Sequence, residues 1–121
     1  MAYIGDLRVY TRSLEFSNNV WDKCIKWDYF AKRTVGNQLV RAADSISANI
    51  AEGYGRYNIK DNIHFCYYSR GSLEEVKDWL QKSKSRKLIS VQEYNVLQKD
   101  IEIISKDLWS YIKSLKKRIN S

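Results

Sequence analysis

The chain has 121 residues, of which 44% are hydrophobic and 29% charged, and this mix is typical of one compact domain spanning residues 1–121. Lys and Arg number 21 against 14 Asp and Glu, and the net charge of +7 favours RNA or DNA over a membrane surface as partner. No apolar run approaches the roughly 20 residues that span a bilayer, and residues 1–10 lack the pattern of a signal peptide. We therefore expect a cytoplasmic protein without membrane association, in which Cys24 and Cys66 are isolated thiols.

The first half of the chain predicts two helices. Because the sequence contains no Pro, Gly and capping residues must mark the helix boundaries. Apolar residues from Leu7 to Cys24 recur at steps of three and four and predict a first helix over about residues 6–26. The same spacing predicts a second helix over about 34–53, which we expect to end with a left-handed glycine in the turn Gly53-Tyr54-Gly55.

The second half predicts two longer helices. Asn58 is a suitable N-cap for a third helix over about 58–86. Gly71 lies inside this helix, and we expect it to permit the close approach of a neighbouring backbone. Ser90 and Glu93 have the spacing of a capping box and open a fourth helix over about 90–118.

These elements predict an all-α fold, an antiparallel up-down-up-down four-helix bundle, because short connections make sequence neighbours spatial neighbours. Small residues on helices 2 and 3 predict that this pair packs closest. The aromatic content exceeds what one small core needs, so some aromatic side chains are expected to cover a subunit interface or, alternatively, to lie on a solvated surface. The tryptophans concerned are Trp21, Trp27, Trp79 and Trp109.

The sequence carries no recognisable enzyme motif. His64 is the one histidine and has no partner at a catalytic or metal-binding spacing, and phosphate-binding glycine loops are absent. We predict no metal and no cofactor. Carboxylates near polar residues on helices 2 and 3 could form a catalytic dyad, but a structural polar network between the two helices is favoured. Its predicted members are Asn49, Glu52, Ser72 and Glu75.

The positive charge is concentrated near the C-terminus, with a net +1 over residues 1–80 and +6 over residues 81–121. Two groups dominate: the helix 3 cluster of Lys82, Lys84, Arg86 and Lys87, and the helix 4 cluster of Lys113, Lys116, Lys117 and Arg118. The up-down order would place them at opposite ends of the bundle. Lys23, Lys26, Lys32 and Arg33 would join the first, and Arg8, Arg12, Arg56 and Lys60 the second.

Each end would then hold eight basic and three acidic residues, with a net acidic middle between them. Basic residues mixed with exposed aromatic ones, as in Tyr54-Gly55-Arg56-Tyr57, suit phosphates and unstacked bases. We therefore predict nucleic-acid binding, with RNA favoured, through both clusters together with Arg56 and Lys60. The alternative is that these cations complement helix dipoles and keep the protein soluble.

Two segments carry a family resemblance. The run QLVRAADSISANIAEG over residues 38–53, followed by Gly55-Arg56, and the run RGSLEE over residues 70–75 resemble the four-helix bundle family encoded by intervening sequences in bacterial 23S ribosomal RNA genes. The resemblance implies a homopentamer around a central channel and no enzymatic activity. Residues that match the family pattern are Asn49, Glu52, Gly53, Gly71, Ser72, Leu73 and Glu75.

The chain is also similar to the accessory protein of diversity-generating retroelements, a basic pentameric barrel that binds a reverse transcriptase and its RNA. It departs from many relatives in having no Pro between helices 1 and 2, which leaves the course of residues 27–33 open. An enzymatic function is therefore disfavoured, and two other functions remain as candidates. One is an RNA-binding oligomer, associated with ribosomal RNA or with a reverse transcriptase, and the other is a protein-interaction scaffold that binds no nucleic acid.

Overall fold

The computed structural model describes residues 3–119, which are mostly helical and contain no β-strand. Four long helices follow one another: α1 (Arg8–Cys24), α2 (Asn37–Tyr54), α3 (Ile59–Ser85) and α4 (Val91–Ile119). A short 3-10 turn, Ile4–Asp6, precedes α1. None of the described helices has an apolar stretch long enough to cross a membrane. The prediction of an all-helical fold with four long helices is confirmed.

Side-chain caps fix the starts of α3 and α4. The Asn58 side chain accepts a hydrogen bond from the Lys60 N–H at 2.8 Å, directly before α3. At the start of α4, the Glu93 N–H donates to Ser90 Oγ at 3.0 Å, and the Ser90 N–H donates to Glu93 Oε1 at 2.9 Å. Both caps predicted from the sequence are therefore present, since each satisfies backbone donors that a helix start leaves without partners.

The connection between α1 and α2 is itself mostly helical. The Asp28 side chain accepts from the Ala31 N–H at 3.0 Å and caps a short turn, Tyr29–Ala31. A π-helical turn, Lys32–Gly36, continues from it without interruption into α2. Helical structure thus begins before the predicted start near Thr34, because Asp28 supplies the N-cap that a proline-free connection needs.

The core lies along the centre of the bundle and is almost entirely aliphatic. The most extensive contact is between α2 and α3, as predicted from their small residues. Ala43 is fully buried between larger side chains, which allows these two helices to approach closely. The largest side chains that are buried throughout come from all four helices: Phe16, Val20, Leu39, Ile46, Ile50, Val76, Leu80, Ile101, Ile104, Leu108, Ile112 and Leu115.

Gly53, and not Gly71, is the glycine at which two helices meet. A Cβ atom at Gly53 would lie 2.7 Å from Asn62 Oδ1 and 2.9 Å from Phe65 Cβ, whereas one at Gly71 would have no such neighbour within 4 Å. The expected role of Gly71 is therefore wrong. The expected left-handed glycine is wrong as well, because Gly55 caps α2 with a right-handed φ of −78°.

Buried hydrogen bonds join neighbouring helices. Ser69 Oγ donates to the Ile46 carbonyl at 2.8 Å and links α3 to α2. Asn62 Nδ2 donates to the Tyr111 hydroxyl at 3.1 Å and links α3 to α4. Burial raises the pKa of the Tyr111 hydroxyl, against a smaller lowering by the Asn62 hydrogen bond. These bonds satisfy polar groups that would otherwise be costly to bury, and they favour one alignment of the helices.

Ion pairs between α1 and α4 show how these two helices align. Arg12 Nη1 lies 2.6 Å from Asp107 Oδ2, and Lys23 Nζ lies 3.0 Å from Glu93 Oε2. Residue numbers therefore rise along α1 in the direction in which they fall along α4. The start of α4 lies beside the end of α1, and its C-terminal half lies beside the start of α1.

Candidate nucleic-acid interface

The last two residues of the helix 3 cluster lie in the connection from α3 to α4, where the backbone is strained. Arg86 is the C-cap of α3, and Lys87 follows with a left-handed φ of 60°. The Lys87 N–H donates to the Lys84 carbonyl at 3.0 Å, and the Leu88 N–H donates to the Ser83 carbonyl at 2.8 Å. These two bonds form a Schellman motif, in which the left-handed position is usually Gly. A lysine there costs about 1–2 kcal/mol in backbone strain.

The π-helical turn before α2 supplies further positive charge to the same end of the protein. Arg33 lies in this turn, where its guanidinium donates to the Tyr29 hydroxyl at 3.0 Å and lies 5.4 Å from the centroid of the Tyr29 ring. Lys32 precedes it and is exposed. π-Helical turns are rare and frequently occur at functional sites.

A groove of about 340 Å³ separates this turn from the end of α3. We name it the basic groove, and it is lined by Arg33, Thr34, Val35, Gln38, Trp79 and Arg86. The charge pattern of the sequence predicts Arg33 and Arg86 at one end of the bundle, but it predicts no part in the site for Trp79 and Gln38. The spacing of Trp79, Lys82 and Arg86 at three and four residues could have indicated a shared helix face.

Several cations of the helix 3 cluster contact groups of their own chain. Lys82 Nζ lies 2.6 Å from Asp78 Oδ2 and 4.3 Å from the centroid of the Trp79 ring. Lys84 Nζ lies 4.0 Å from the centroid of the Tyr94 ring. These contacts hold both ammonium groups close to aromatic faces, an arrangement with attraction of about 0.5–1 kcal/mol at exposed sites.

The Glu93 carboxylate faces this end from α4. The Ser90 backbone N–H, and after it the Lys23 ammonium, lower the pKa of Glu93 by hydrogen bonding to its charged form. Glu93 therefore stays ionised at neutral pH and offsets part of the positive charge contributed by Lys23.

The helix 4 cluster lies at the other end, close to the start of α3. Lys116 Nζ lies 5.6 Å from the centroid of Tyr67 and 5.7 Å from that of Trp109. Arg56 Nη2 lies 2.8 Å from Glu52 Oε1, and its guanidinium carbon lies 4.8 Å from the centroid of Phe65. Apart from Arg12, which pairs with Asp107, the remaining predicted basic residues of this end are exposed: Arg8, Lys60, Lys113, Lys117 and Arg118.

Ion pairs within the described part of the chain engage at least two of the eight predicted basic residues at each end. The acidic middle supplies two of the partners, since Asp78 contacts Lys82 and Asp107 contacts Arg12. The division into basic ends and an acidic middle is thus less sharp than the sequence predicts, because long Lys and Arg side chains reach acids one turn or one helix away.

The predicted polar network of Asn49, Glu52, Ser72 and Glu75 does not join α2 to α3 among the hydrogen bonds described for residues 3–119. Asn49 Nδ2 donates to the Ser45 carbonyl at 2.8 Å within α2, and Ser72 Oγ donates to the Tyr68 carbonyl at 3.2 Å within α3. Glu52 pairs with Arg56, and Glu75 is exposed. The prediction is wrong for this chain, because these side chains lie at the rim of the helix contact while Ser69 lies inside it.

An apolar stripe is exposed on α1, where Trp21 is 53% and Ile25 44% accessible. Both residues line a second groove of about 320 Å³, together with the half-buried Val40 of α2. Among the other tryptophans, Trp109 is exposed, whereas Trp27 and Trp79 are half-buried against the core. The aromatic surplus is therefore divided between core packing and the surface.

The side chains that could support catalysis are dispersed. His64 is exposed on α3. Burial raises the pKa of the Cys24 thiol to about 12 and that of Cys66 to about 11, so both thiols are protonated at neutral pH. Among residues 3–119, no group of three or more His, Cys, Asp and Glu is placed to hold a metal ion.

Comparison with known proteins identifies the family. No curated protein matches the chain. A crystal structure of a protein of unknown function from the S23 ribosomal protein family of Bacteroides thetaiotaomicron is similar, with a TM-score of 0.78 and 25% identity over 87% of this chain and 95% of that one. The family described as 23S rRNA-intervening sequence protein matches residues 5–110. The chain therefore belongs to the 23S rRNA-intervening sequence protein family.

Proposed function

We propose that this protein is a non-enzymatic, basic, oligomeric bundle that binds RNA in the cytoplasm and serves as an assembly platform. The observation that carries the proposal is the positive charge gathered at the two ends of the helices, of which internal ion pairs engage only a part within the described residues. Such surfaces attract phosphates, and the resulting affinity depends strongly on salt. The proposed contacts are the helix 3 and helix 4 clusters with Arg56 and Lys60.

The proposed architecture is an antiparallel up-down-up-down bundle that assembles as a homopentamer. The alignment of α1 with α4 through their ion pairs supports the helix order. The exposed apolar stripe containing Trp21 and Ile25 supports association, because such a patch gains free energy when it is covered. With 14.3 kDa per chain, a pentamer has a mass of about 72 kDa in light scattering.

The oligomer is tested with one substitution on each of two exposed tryptophans. Trp21→Lys places a charge in the proposed contact, and we expect the mass to fall toward that of single chains. Trp109→Lys changes a tryptophan of similar exposure on α4 and should leave the mass unchanged. A wild-type mass of one chain at micromolar concentration would overturn the oligomer, and an unchanged mass for Trp21→Lys would exclude the α1 stripe as the contact.

RNA binding is tested with a labelled single-stranded RNA of mixed sequence, titrated over a series of salt concentrations. The matched variants replace every residue of either the helix 3 cluster or the helix 4 cluster with Gln. If one cluster contacts four phosphates, its loss should flatten the slope of log K against log salt by about 3. Absence of wild-type binding at low salt would overturn RNA binding and leave the scaffold function. An unchanged slope would exclude the substituted cluster.

The RNA itself has two candidate sources. Membership of the 23S rRNA-intervening sequence family supports a ribosomal RNA, and the similarity to the retroelement accessory protein supports a reverse transcriptase as partner. The position of the gene distinguishes them, because an insertion in a ribosomal RNA gene indicates the first and a neighbouring reverse transcriptase with a template repeat the second.

A further inference from the structure

We infer that the basic groove binds one unpaired nucleotide of a single-stranded RNA, with a phosphate between Arg33 and Arg86 and the base against Trp79. The inference rests on the proposed RNA binding and assigns it to one end of the protein and to one chemical unit of the ligand. The groove has a volume of about 340 Å³ and is open to solvent, so a bound nucleotide would stay partly exposed.

The lining of the groove supplies two kinds of recognition in one place. Arg33 and Arg86 enter it from different elements, and a guanidinium can form two parallel hydrogen bonds to one phosphate. Trp79 lines the groove with part of its indole, on which a base can stack once the Lys82 side chain moves off the ring. Gln38 adds an amide that can both donate to and accept from a base edge.

Backbone conformation at this end supports a binding role. The turn that carries Arg33 is π-helical, and Lys87, next to Arg86, occupies a left-handed position in which Gly would be less strained. Sparsely populated conformations of this kind cluster at ligand sites. The end that carries the helix 4 cluster lacks this combination among the described residues, since Gly55 and Arg56 follow α2 without a positive φ.

Lys82 and Asp78 form an ion pair beside Trp79, one of the residues that line the groove. Their ion pair of 2.6 Å holds the Lys82 ammonium 4.3 Å from the Trp79 ring, so a carboxylate lies near the aromatic surface. An acidic peptide would meet this carboxylate without gaining base stacking. A nucleotide offers both an anion for the two arginines and a flat apolar ring for the indole. The combination favours RNA over an acidic protein segment as the occupant.

Photo-crosslinking of the wild-type protein locates the base. A single-stranded RNA containing 5-iodouracil is irradiated in the complex, and the protein is digested with trypsin. The four tryptophans fall in different tryptic peptides, covering residues 13–23, 27–32, 78–82 and 107–113. We expect the RNA-linked peptide to be 78–82, which contains Trp79. Linkage confined to 107–113 or to another peptide would overturn the inference without affecting RNA binding as such.

Matched variants test the phosphate contacts. The double variant Arg33→Gln/Arg86→Gln should bind RNA about tenfold more weakly at moderate salt and flatten the salt slope by about 0.7, which corresponds to the one phosphate held between the two arginines. The control, Lys99→Gln/Lys106→Gln, removes the same charge from exposed positions of α4 outside both clusters and should change neither quantity. Equal effects of the two pairs would overturn the assignment to the groove and leave general electrostatic binding.

Base stacking has its own readout. Wild-type protein should bind a base-containing single strand roughly tenfold more tightly than an abasic strand of equal charge. Trp79→Leu should remove this preference while retaining most of the salt dependence, and Trp79→Phe should keep part of it. If Trp79→Leu loses all RNA binding and its circular dichroism spectrum shows an unfolded protein, the Trp79→Phe variant and the crosslinked peptide decide whether the base contacts Trp79. No wild-type binding to either strand would overturn RNA binding itself.

Discussion

Replacing Gly53 with Ala tests whether α2 and α3 meet at the position where the structure brings them closest. The added Cβ would lie 2.7 Å from Asn62 Oδ1, 2.9 Å from Phe65 Cβ and 3.0 Å from the Asn62 carbonyl oxygen. The amide oxygen could rotate away, but the other two atoms are fixed to the backbone of α3. The helices must therefore separate by several tenths of an ångström where both are otherwise buried.

The expected cost follows from two opposing effects. Overpacking costs about 1–3 kcal/mol, and the upper part of that range applies here because two of the three contacts are fixed to the backbone of α3. Ala in place of Gly within a helix contributes at most about 1 kcal/mol in the opposite direction. The net destabilisation is about 1–2 kcal/mol. For a chain of this length each kcal/mol shifts the melting temperature by about 4 °C, so Gly53→Ala should melt about 4–8 °C lower than wild type.

Gly71→Ala is the matched control, because the same substitution meets open space. Nothing lies within 4 Å of the added Cβ, and Gly71 is in the interior of a long helix. We expect a gain of about 0.5–1 kcal/mol, or about 2–4 °C. The two variants differ from wild type by the same methyl group and should change stability in opposite directions.

Thermal unfolding followed by far-ultraviolet circular dichroism measures both variants. All proteins are compared at one concentration, because association makes the melting temperature depend on concentration. A Gly53→Ala protein as stable as wild type would refute the close approach of the two helices. A destabilised Gly71→Ala protein would show that this surface is covered, for instance by another subunit.

Three further changes test features of the structure. Lys87→Gly should raise the free energy of unfolding by about 0.5–1 kcal/mol in urea denaturation, because Gly relieves the left-handed strain; a loss would contradict the Schellman conformation. Asn62→Ala should lower the free energy of unfolding by about 1–3 kcal/mol, since the Tyr111 hydroxyl loses its hydrogen-bond partner. An unchanged free energy of unfolding would mean that a water molecule replaces the Asn62 side chain as that partner. Burial raises the thiol pKa values from 9.0 to about 12 for Cys24 and about 11 for Cys66, so the neutral thiols contribute stability fully below pH 9 and lose it as pH rises toward 11–12. At pH 8 neither folded thiol should react with iodoacetamide within the time that denatured protein reacts completely, and rapid labelling would contradict their burial.

Local signals in the sequence predict the helices well. Ser90 and Glu93 fix the start of α4 because each bond of a capping box joins residues three apart, and Asn58 caps α3 for the same local reason. The beginning of α2 is less accessible to prediction. Asp28 caps a helical turn before the apolar periodicity of α2 becomes visible, and a π-helical turn shifts that periodicity.

The spacing of apolar residues shows which side of a helix is buried only to within part of a turn. It therefore does not show which individual residues contact a neighbouring helix. Gly53 and Gly71 are both helical glycines in small-residue segments, and only the packing shows which of them faces another helix. Ser69 lies three residues before the predicted network member Ser72, yet it faces α2 while Ser72 bonds within its own helix. The basic groove combines residues about 45 positions apart, so no local pattern could reveal that Trp79 lines it.

The π-helical turn before α2 amounts to one residue more than an α-helix of the same span would need. Deleting Thr34 would allow a continuous α-helix, and every residue upstream of the deletion would rotate by about 100° around the helix axis. A retained Arg33 would then point away from Trp79, although the buried face of α2 would be unaltered. The direction of this guanidinium is therefore coupled to the burial of Ala31, because the loss of one residue would turn both side chains away from their present positions.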